Sequence, residues 1–315
     1  MRPNGDPGVK VLYIGGLGRS GSTLLDRMLG QLPGFFSAGE IRDLWQRGLR
    51  ENALCGCGAP FKECEVWTRV GKEAFGGWDR VDLDQVQSLA RSVDRHGLFP
   101  LLVAPWAWPP FKRRLERYAQ FLAPLYRAIY EVEGSRIVID SSKAPSTAFV
   151  LRKVPGLDLR LVHLVRDSRG VAYSWTKKVV RPDMVDRGAE MHRYPPARMA
   201  VRWVTRNGMM EVLGRLGHTE VRVGYETLIR SPRGELERIL TGLGEPFQPR
   251  DLDFISDGTV ELRPNHTVMG NPIRMENGPV RLRLDDQWRT ALSRRQNGMV
   301  TLLTRPLLRR YGYQP

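Results

Sequence analysis

The clearest chemistry in the sequence comes from a short segment rich in glycine and serine, Gly16-Leu-Gly-Arg-Ser-Gly-Ser-Thr23. It lies between an apolar run that predicts a buried strand, Val9 to Leu17, and a pattern that predicts a helix, Ser22 to Leu32. Glycines let the backbone turn so that N–H groups and the helix N-terminus converge on an anion. The segment therefore predicts a phosphate-binding loop, and the alternative is a glycine-rich turn without a ligand.

This loop departs from the Walker A pattern of ATPases and GTPases. It keeps the Gly-x-x-x-x-Gly spacing, but Ser22 stands where Walker A has the lysine that reaches the β and γ phosphates. A cation, Arg19, lies inside the loop instead, where it can contact a terminal group rather than bridge two phosphates with magnesium. A usual nucleotide hydrolase is disfavoured, and the arrangement suits a 5′-phosphosulfate.

A second pair of residues could bind another phosphate. Arg166 follows a predicted strand, Leu159 to Val165, and Ser174 comes eight residues later. A helix predicted over Ser168 to Val179 puts two turns between them and lets both side chains approach one anion. The alternative is a strand-end arginine in a surface ion pair.

Together these motifs resemble a known family. Arg19-Ser-Gly-Ser-Thr-Leu-Leu25 resembles the 5′-phosphosulfate loop of sulfotransferases that use 3′-phosphoadenosine 5′-phosphosulfate (PAPS), especially the bacterial and tyrosylprotein-sulfotransferase-like branch. The segment from Arg166 to Ser174 is similar to the family's 3′-phosphate motif. The resemblance runs from about Val9 to about Arg274 and implies PAPS as co-substrate.

The resemblance also implies a set of nucleotide-binding residues. Gly224-Tyr-Glu-Thr-Leu228 is similar to the segment whose tyrosine lies by the adenine, and Asn265 to Arg274 looks like the C-terminal nucleotide loop. The residues expected to bind PAPS are Arg19, Ser20, Gly21, Ser22, Thr23, Leu24, Arg166, Ser174, Tyr225, Asn271 and Arg274.

The reaction implied by the resemblance is in-line transfer of a sulfuryl group to a hydroxyl acceptor. Glu40 matches the glutamate that serves as general base, while Lys143 and Arg19 would neutralise the sulfuryl group or the leaving phosphate. Alternatives are that Glu40 is a solvated acid paired with Arg42, or that a histidine such as His163 or His266 is the base. A P-loop-like kinase and a nucleotide-binding module are the competing functions.

Strands that alternate with helices predict the fold class. The expected strands are Val9 to Leu17, Arg136 to Ile139, Leu159 to Val165 and Glu220 to Gly224. This order predicts an α/β fold with a P-loop-like, mainly parallel sheet flanked by helices on both faces. We expect a single domain over residues 1–315, with a helical insert at about 73–133 on the acceptor side.

Composition limits the partners. The net charge of +15 indicates anionic partners, but the arginines are dispersed and no nucleic-acid-binding signature is present, so we expect a small nucleotide and no nucleic acid. No apolar run is long enough to span a membrane, and Met1 to Lys10 has no export signal, so we expect a cytoplasmic protein. The sequence is compatible with a homodimer and does not determine oligomeric state.

The acceptor is expected to be a small molecule such as a lipid, a glycan or a secondary metabolite. Four tryptophans either line an apolar acceptor cleft or belong to the core: Trp45, Trp67, Trp106 and Trp108.

All three cysteines, Cys55, Cys57 and Cys64, fall within ten residues. Three thiolates could supply part of a zinc site, could serve in redox chemistry, or could stabilise a loop by packing. The spacing begins with Cys-x-Cys rather than Cys-x-x-Cys, and no histidine is near in sequence. We therefore expect no metal.

Overall fold

A five-stranded parallel sheet lies at the centre of the computed structural model, which describes residues 8–180 and 190–314. The strand order is β2-β3-β1-β4-β5. These strands are β1 (Val9–Gly16), β2 (Phe35–Gly39), β3 (Ile137–Lys143), β4 (Leu157–Val165) and β5 (Glu220–Gly224). The predicted parallel sheet is confirmed, and β2 adds an edge strand that the sequence pattern does not predict. Residues 1–7 of the polar N-terminal segment lie outside the described residues.

Both faces of the sheet are buried beneath helices. Val11 and Tyr13 of β1 join the core on one face, and the alternate residues Leu12 and Ile14 join the core on the other. The first face is covered by α2 (Glu65–Phe75), α3 (Leu83–Val93), α4 (Phe99–Val103), α5 (Pro109–Val132), α6 (Pro145–Leu151) and α8 (Pro196–Gly214). The second is covered by α1 (Ser22–Leu29), α9 (Tyr225–Arg230) and α10 (Pro232–Leu243).

A helical region separates β2 from β3. It contains α2 to α5 and a π-helical segment, Leu44–Arg50, so helices lie on both sides of residue 73. A third core cluster joins α8 to α7 (Ser168–Ser174) and α12 (Arg294–Arg310), with α11 (Trp288–Ala291) preceding α12. Within the two described ranges, no helix combines the length and apolar character needed to cross a bilayer.

A small antiparallel sheet follows α10. Its strands, β6 (Ile255–Ser256), β7 (Thr259–Leu262) and β8 (Gly278–Arg281), are too short to give a clear sequence signal. The segment between β7 and β8 returns to the parallel sheet, where the Val268 N–H donates to the Ala38 carbonyl (3.0 Å). Farther along it, the Asn271 N–H donates to Thr23 Oγ1 (3.1 Å). This segment is therefore anchored against both β2 and the glycine-rich loop.

Local interactions end or divide two helical segments. The helix predicted to reach Val179 ends at Ser174, where the Thr176 hydroxyl donates to the Tyr173 carbonyl (2.7 Å) and competes for a backbone acceptor. The helical segment after β5 is divided at Ser231 into α9 and α10, because Pro232 disfavours helical dihedrals at the residue before it.

Candidate active site

A cleft of about 570 Å³ lies at the carboxyl ends of the parallel strands. Ligands bind at this end of open α/β sheets because loops from several strands converge there. The cleft brings together eleven of the predicted site residues: Arg19, Gly21, Ser22, Thr23, Leu24, Glu40, Lys143, Arg166, Ser174, Tyr225 and Asn271. Each of the five parallel strands ends at one of them or is followed by at least one of them.

The glycine-rich loop leads directly into α1. Gly21 is the N-cap, and none of the described side chains caps the helix, so its first N–H groups remain available to an anion. Gly21 has φ +89°, and a Cβ there would lie 2.8 Å from the Tyr225 ring. Only glycine satisfies both the left-handed backbone and this close approach.

Arg19 presents unsatisfied donors to the cleft. Its backbone is left-handed (φ 71°), and its guanidinium lies 5.4 Å from the centre of the Trp175 ring. Nε and Nη2 are buried and have no hydrogen-bond partner among the described residues. Burial lowers the pKa of Arg19. Buried N–H donors are costly when unpaired, so an anionic ligand would supply the missing acceptors.

Glu40 and Lys143 form an ion pair, which joins Nζ of Lys143 to Oε1 of Glu40. Both side chains are largely buried, with exposures of 16% and 19% respectively. Glu40 is not paired with Arg42, whose Nε lies 3.0 Å from Asp94 Oδ2. The geometry thus disfavours the alternative of a solvated Glu40–Arg42 pair and places a carboxylate beside an ammonium group in the cleft.

Buried Asp140 holds the end of β3 that carries Lys143. Its Oδ1 accepts hydrogen bonds from the Ser142 N–H (2.8 Å) and hydroxyl (2.5 Å), and its Oδ2 accepts one from the Tyr126 hydroxyl (2.5 Å). Burial raises the pKa of Asp140 to about 6. Ser142 Oγ also accepts from the Arg42 N–H (3.0 Å), which links β3 to the turn after Glu40.

A second buried carboxylate, Asp26 on α1, joins that helix to the sheet. It accepts hydrogen bonds from the hydroxyls of Ser37 on β2 (2.5 Å) and Ser141 on β3 (2.6 Å). Burial raises the pKa of Asp26 to about 7, although both hydroxyls favour the ionised form. Asp26 therefore fixes α1, the helix that follows the glycine-rich loop.

Arg166 is held by backbone and by a carboxylate. Its guanidinium is almost buried, donates to the carbonyls of Arg19 (3.0 Å) and Asp285 (2.8 Å), and lies 4.4 Å from the centre of the Tyr225 ring. It also pairs with the Asp285 carboxylate (3.1 Å). Burial would raise the pKa of Asp285, but hydrogen bonds from Lys177 and Arg166 outweigh it and lower that pKa. Asp285 thus already accepts from N–H groups of Arg166 that could otherwise bind an anionic ligand.

The cleft contains cations that the motifs do not reveal. Burial, with the charges of Arg42 and Arg202, lowers the pKa of Arg206 to about 10. Arg202 and Arg206 lie on one face of α8 because they are four residues apart, a spacing that is visible in the sequence. Eight of the described residues lining the cleft are cationic and three are acidic. This imbalance favours a polyanionic ligand.

Two predicted nucleotide-binding residues do not line the cleft. Ser20 is buried, and Arg274 is buried with its guanidinium donating to the carbonyls of Thr267 (3.0 Å) and Leu54 (2.7 Å). Arg274 therefore holds loops together. None of the five histidines, all in the described ranges, lines the cleft; His163 is buried and bonded to Asn207 (2.9 Å). A histidine base is therefore disfavoured.

A second cavity of about 610 Å³ shares Arg42 and Asp43 with the cleft. Its other lining residues belong to the helical region and include Trp45, Gln87 and Tyr118. Burial, followed by the nearby Glu40 charge, raises the pKa of Asp43. The four tryptophans that could line an acceptor cleft lie in different environments. Trp45 borders this cavity, Trp67 belongs to the core, and Trp106 and Trp108 are exposed.

Comparison with known proteins identifies the fold. A scan against protein-family models and a search of the curated proteins gave no match. Among solved structures, the sulfotransferase domain from the olefin synthase of Synechococcus PCC 7002 aligns over 100% of this chain and 98% of its own, with a TM-score of 0.55 and 22% identity. The sulfotransferase domain from the curacin biosynthetic pathway aligns over 98% of both chains, with a TM-score of 0.52 and 18% identity. The chain has the fold of these domains, which confirms the predicted fold class.

Proposed function

We propose that this chain is a sulfotransferase that moves a sulfuryl group from PAPS to a hydroxyl of a small-molecule acceptor. The observation that carries the proposal is the shared cleft. Arg19 and Arg166, predicted to bind the two anionic ends of the nucleotide, line one cavity together with the Glu40–Lys143 ion pair. The fold, which is that of sulfotransferase domains, supports the same reaction.

The cleft residues fit a nucleotide with anionic groups at two ends. The unpaired donors of Arg19 and the uncapped start of α1 suit the 5′-phosphosulfate. Arg166 and Ser174 suit the 3′-phosphate, and the Tyr225 ring offers a flat surface on the same side. Ser22 and Asn271 complete the lining on the side of α1. PAPS, when bound, supplies an activated sulfuryl group with a 5′-phosphate as leaving group.

The ion pair divides the remaining chemistry between two side chains. Glu40 can accept the proton of the acceptor hydroxyl on its carboxylate, which makes that oxygen a stronger nucleophile. Lys143 Nζ and the Arg19 guanidinium supply positive charge where negative charge grows on the leaving oxygen. Asp140, through Ser142, fixes the end of β3 from which Lys143 projects. A preorganised site of this kind needs little rearrangement during reaction.

The acceptor is expected to enter through the second cavity. That cavity meets the cleft at Arg42 and Asp43, only two and three residues after Glu40. Its lining mixes aromatic residues with amide and charged groups, which suits a polar acceptor carrying a hydroxyl better than a purely hydrocarbon one. The helical region would then select the acceptor, while the loops after the parallel strands bind the donor.

Calorimetry tests the donor assignment most directly. We expect 3′-phosphoadenosine 5′-phosphate (PAP) to bind without magnesium, and ATP to bind much more weakly under the same conditions. Preference for ATP, or no binding of PAP, would contradict the proposal and favour a kinase-like enzyme or another module. Once PAP binding is measured, transfer of labelled sulfate from PAPS to a panel of lipid, glycan and metabolite hydroxyls identifies the acceptor class.

A further inference from the structure

A cluster of three cysteines and one histidine lies apart from the cleft lining. It consists of Cys55, Cys57, Cys64 and His266, and one ligand atom from each lies within 4.8 Å of all the others. These are all the cysteines of the chain. His266 lies 202 residues after Cys64, so its proximity appears only in the folded chain. No histidine is near the cysteines in sequence, but the fold brings His266 beside them.

Three of the distances between ligand atoms are close to those expected around a tetrahedral zinc ion. With Zn–S of about 2.3 Å and Zn–N of about 2.0–2.1 Å, tetrahedral geometry places two sulfurs about 3.8 Å apart and a sulfur and nitrogen about 3.5 Å apart. Sγ of Cys57 and Sγ of Cys64 are 3.8 Å apart. His266 Nδ1 lies 3.3 Å from the sulfur of Cys64 and 4.0 Å from that of Cys55.

We propose that Cys55, Cys57, Cys64 and His266 bind one zinc ion as a structural site. Three thiolates and a neutral imidazole form a Cys₃His ligand set, which is typical of tetrahedral structural zinc. Four protein ligands leave no position open for a substrate, so the ion supports the fold rather than the reaction. This proposal departs from the sequence-based expectation that no metal is bound.

A disulfide explains the cluster less well. Two sulfurs separated by 3.8 Å would have to approach to about 2.05 Å, and such a bond would leave the third cysteine and His266 without a role. All three cysteines are free, and two of them are buried. A metal ion uses all four groups at their present spacing.

A short hairpin presents the first two cysteines. Leu54 and Pro60 form an antiparallel bridge, and the Cys55 N–H donates to the Ala59 carbonyl (2.8 Å). The Gly58 N–H donates to the Cys55 carbonyl (2.9 Å), which tightens the turn around Cys57. These backbone bonds aim the two thiols toward one point without help from a metal.

The other two ligands are held by α2 and by the segment between β7 and β8. Cys64 is the N-cap residue of α2, and Trp67 on the same helix donates from Nε1 to the His266 carbonyl (2.8 Å). The Gly56 N–H donates to the Thr267 carbonyl (3.0 Å), and a Cβ at Gly56 would collide with the Asn265 side chain. The hairpin and the histidine segment therefore pack directly against each other, as a shared metal requires.

The ion would fix one end of a segment whose other end lines the cleft. Five residues after His266, Asn271 borders the cleft and bonds to Thr23 of the glycine-rich loop. Zinc binding would join this segment, the hairpin and α2, which otherwise meet through hydrogen bonds and packing. The metal therefore has a positioning role for the cleft, independent of which ligand the cleft binds.

Metal analysis of the full chain, prepared without a histidine tag or chelators, tests the site. We expect one zinc ion per chain by mass spectrometry of the metal. Cobalt substitution should give thiolate charge-transfer absorption and the intense visible bands of a tetrahedral site. Cys57→Ser and His266→Ala should lower zinc content to a small fraction of one ion, whereas His192→Ala, which changes an exposed histidine, should retain it.

The wild-type chain decides the question even if a variant fails to fold. Chelation of zinc should lower the thermal unfolding temperature, and added zinc should restore it. Absence of zinc together with absence of cobalt–thiolate absorption would overturn the proposal, as would a disulfide among the three cysteines detected by mass spectrometry. Unchanged zinc content in both ligand variants would also overturn it. Because none of these readouts involves a nucleotide, the result is independent of the proposed sulfotransferase activity.

Discussion

If Arg166 binds the 3′-phosphate as proposed, its replacement should weaken the binding of nucleotides that carry this group more than of those that lack it. A charge-assisted contact to a partly buried anion is worth about 2–4 kcal/mol, which corresponds to about 30- to 900-fold in affinity. The side chain of Arg166 is only 6% exposed, which favours the upper part of this range. Displacement of the Asp285 carboxylate offsets about 0.5–1 kcal/mol. For Arg166→Ala we therefore expect PAP to bind about 100-fold more weakly.

The assay compares PAP with adenosine 5′-phosphate, which lacks the 3′-phosphate. Calorimetry of both nucleotides with the wild type and with Arg166→Ala separates loss of a specific contact from general damage to the cleft. Adenosine 5′-phosphate should lose no more than about threefold, because it does not contact this guanidinium. Arg169→Ala is a matched control: Arg169 pairs with Asp167 and packs 4.6 Å from the centre of the Trp288 ring, outside the cleft lining.

The ratio of the two affinities decides the outcome. If PAP and adenosine 5′-phosphate weaken equally in Arg166→Ala, Arg166 supports the loop but does not bind the 3′-phosphate. The same affinity for PAP in the variant and the wild type would refute the assignment altogether.

Three further perturbations test other parts of the site. Glu40→Gln should lower the turnover number by at least about 100-fold while PAP binds no more weakly, because the base is lost and the shape is kept; near-normal turnover would exclude Glu40 as the base. Asp285→Asn should tighten PAP binding by about two- to fivefold, since it removes a competitor for Arg166, and weaker binding in calorimetry would contradict this. The pKa of Asp26 is raised from 3.8 to about 7 in the folded chain, so the folded chain keeps a proton that the unfolded chain releases above about pH 4. The resulting contribution to the unfolding free energy is complete below pH 3.8 and is lost as pH rises toward 7. Asp26→Asn should therefore lose less unfolding free energy than the wild type between about pH 4 and 7 in urea titrations, and parallel pH profiles would argue against the shift.

The elements around the donor motifs could be predicted because each is local in sequence. The glycines of the loop from Gly16 to Thr23 predict its turn, and Arg166 follows a strand whose residues are mostly apolar. Parallel strands expose their carboxyl ends at one edge, so motifs that follow such strands converge without further information. This reasoning also brings Tyr225 into the cleft, as the structure shows.

The rest of the site depends on contacts between distant segments. The Glu40–Lys143 pair requires β2 beside β3, and β2 is a five-residue strand with no alternating pattern. Asp285 reaches Arg166 from a loop 119 residues away, and His266 reaches Cys64 across 202 residues. Arg274 follows the expected motif but is used to hold carbonyl groups, a distinction that only burial reveals.

The left-handed backbone at Arg19 and Lys143 has a consequence for the evolution of this chain. A non-glycine residue in that conformation costs about 1–2 kcal/mol of folding free energy, and both cations of the proposed reaction carry it (φ 71° and 65°). Glycine at either position would relieve the strain and remove the cation. Selection for thermostability alone would thus favour glycine at these two positions, and the resulting proteins would lack the cations of the proposed reaction. Retention of both side chains therefore requires selection for activity.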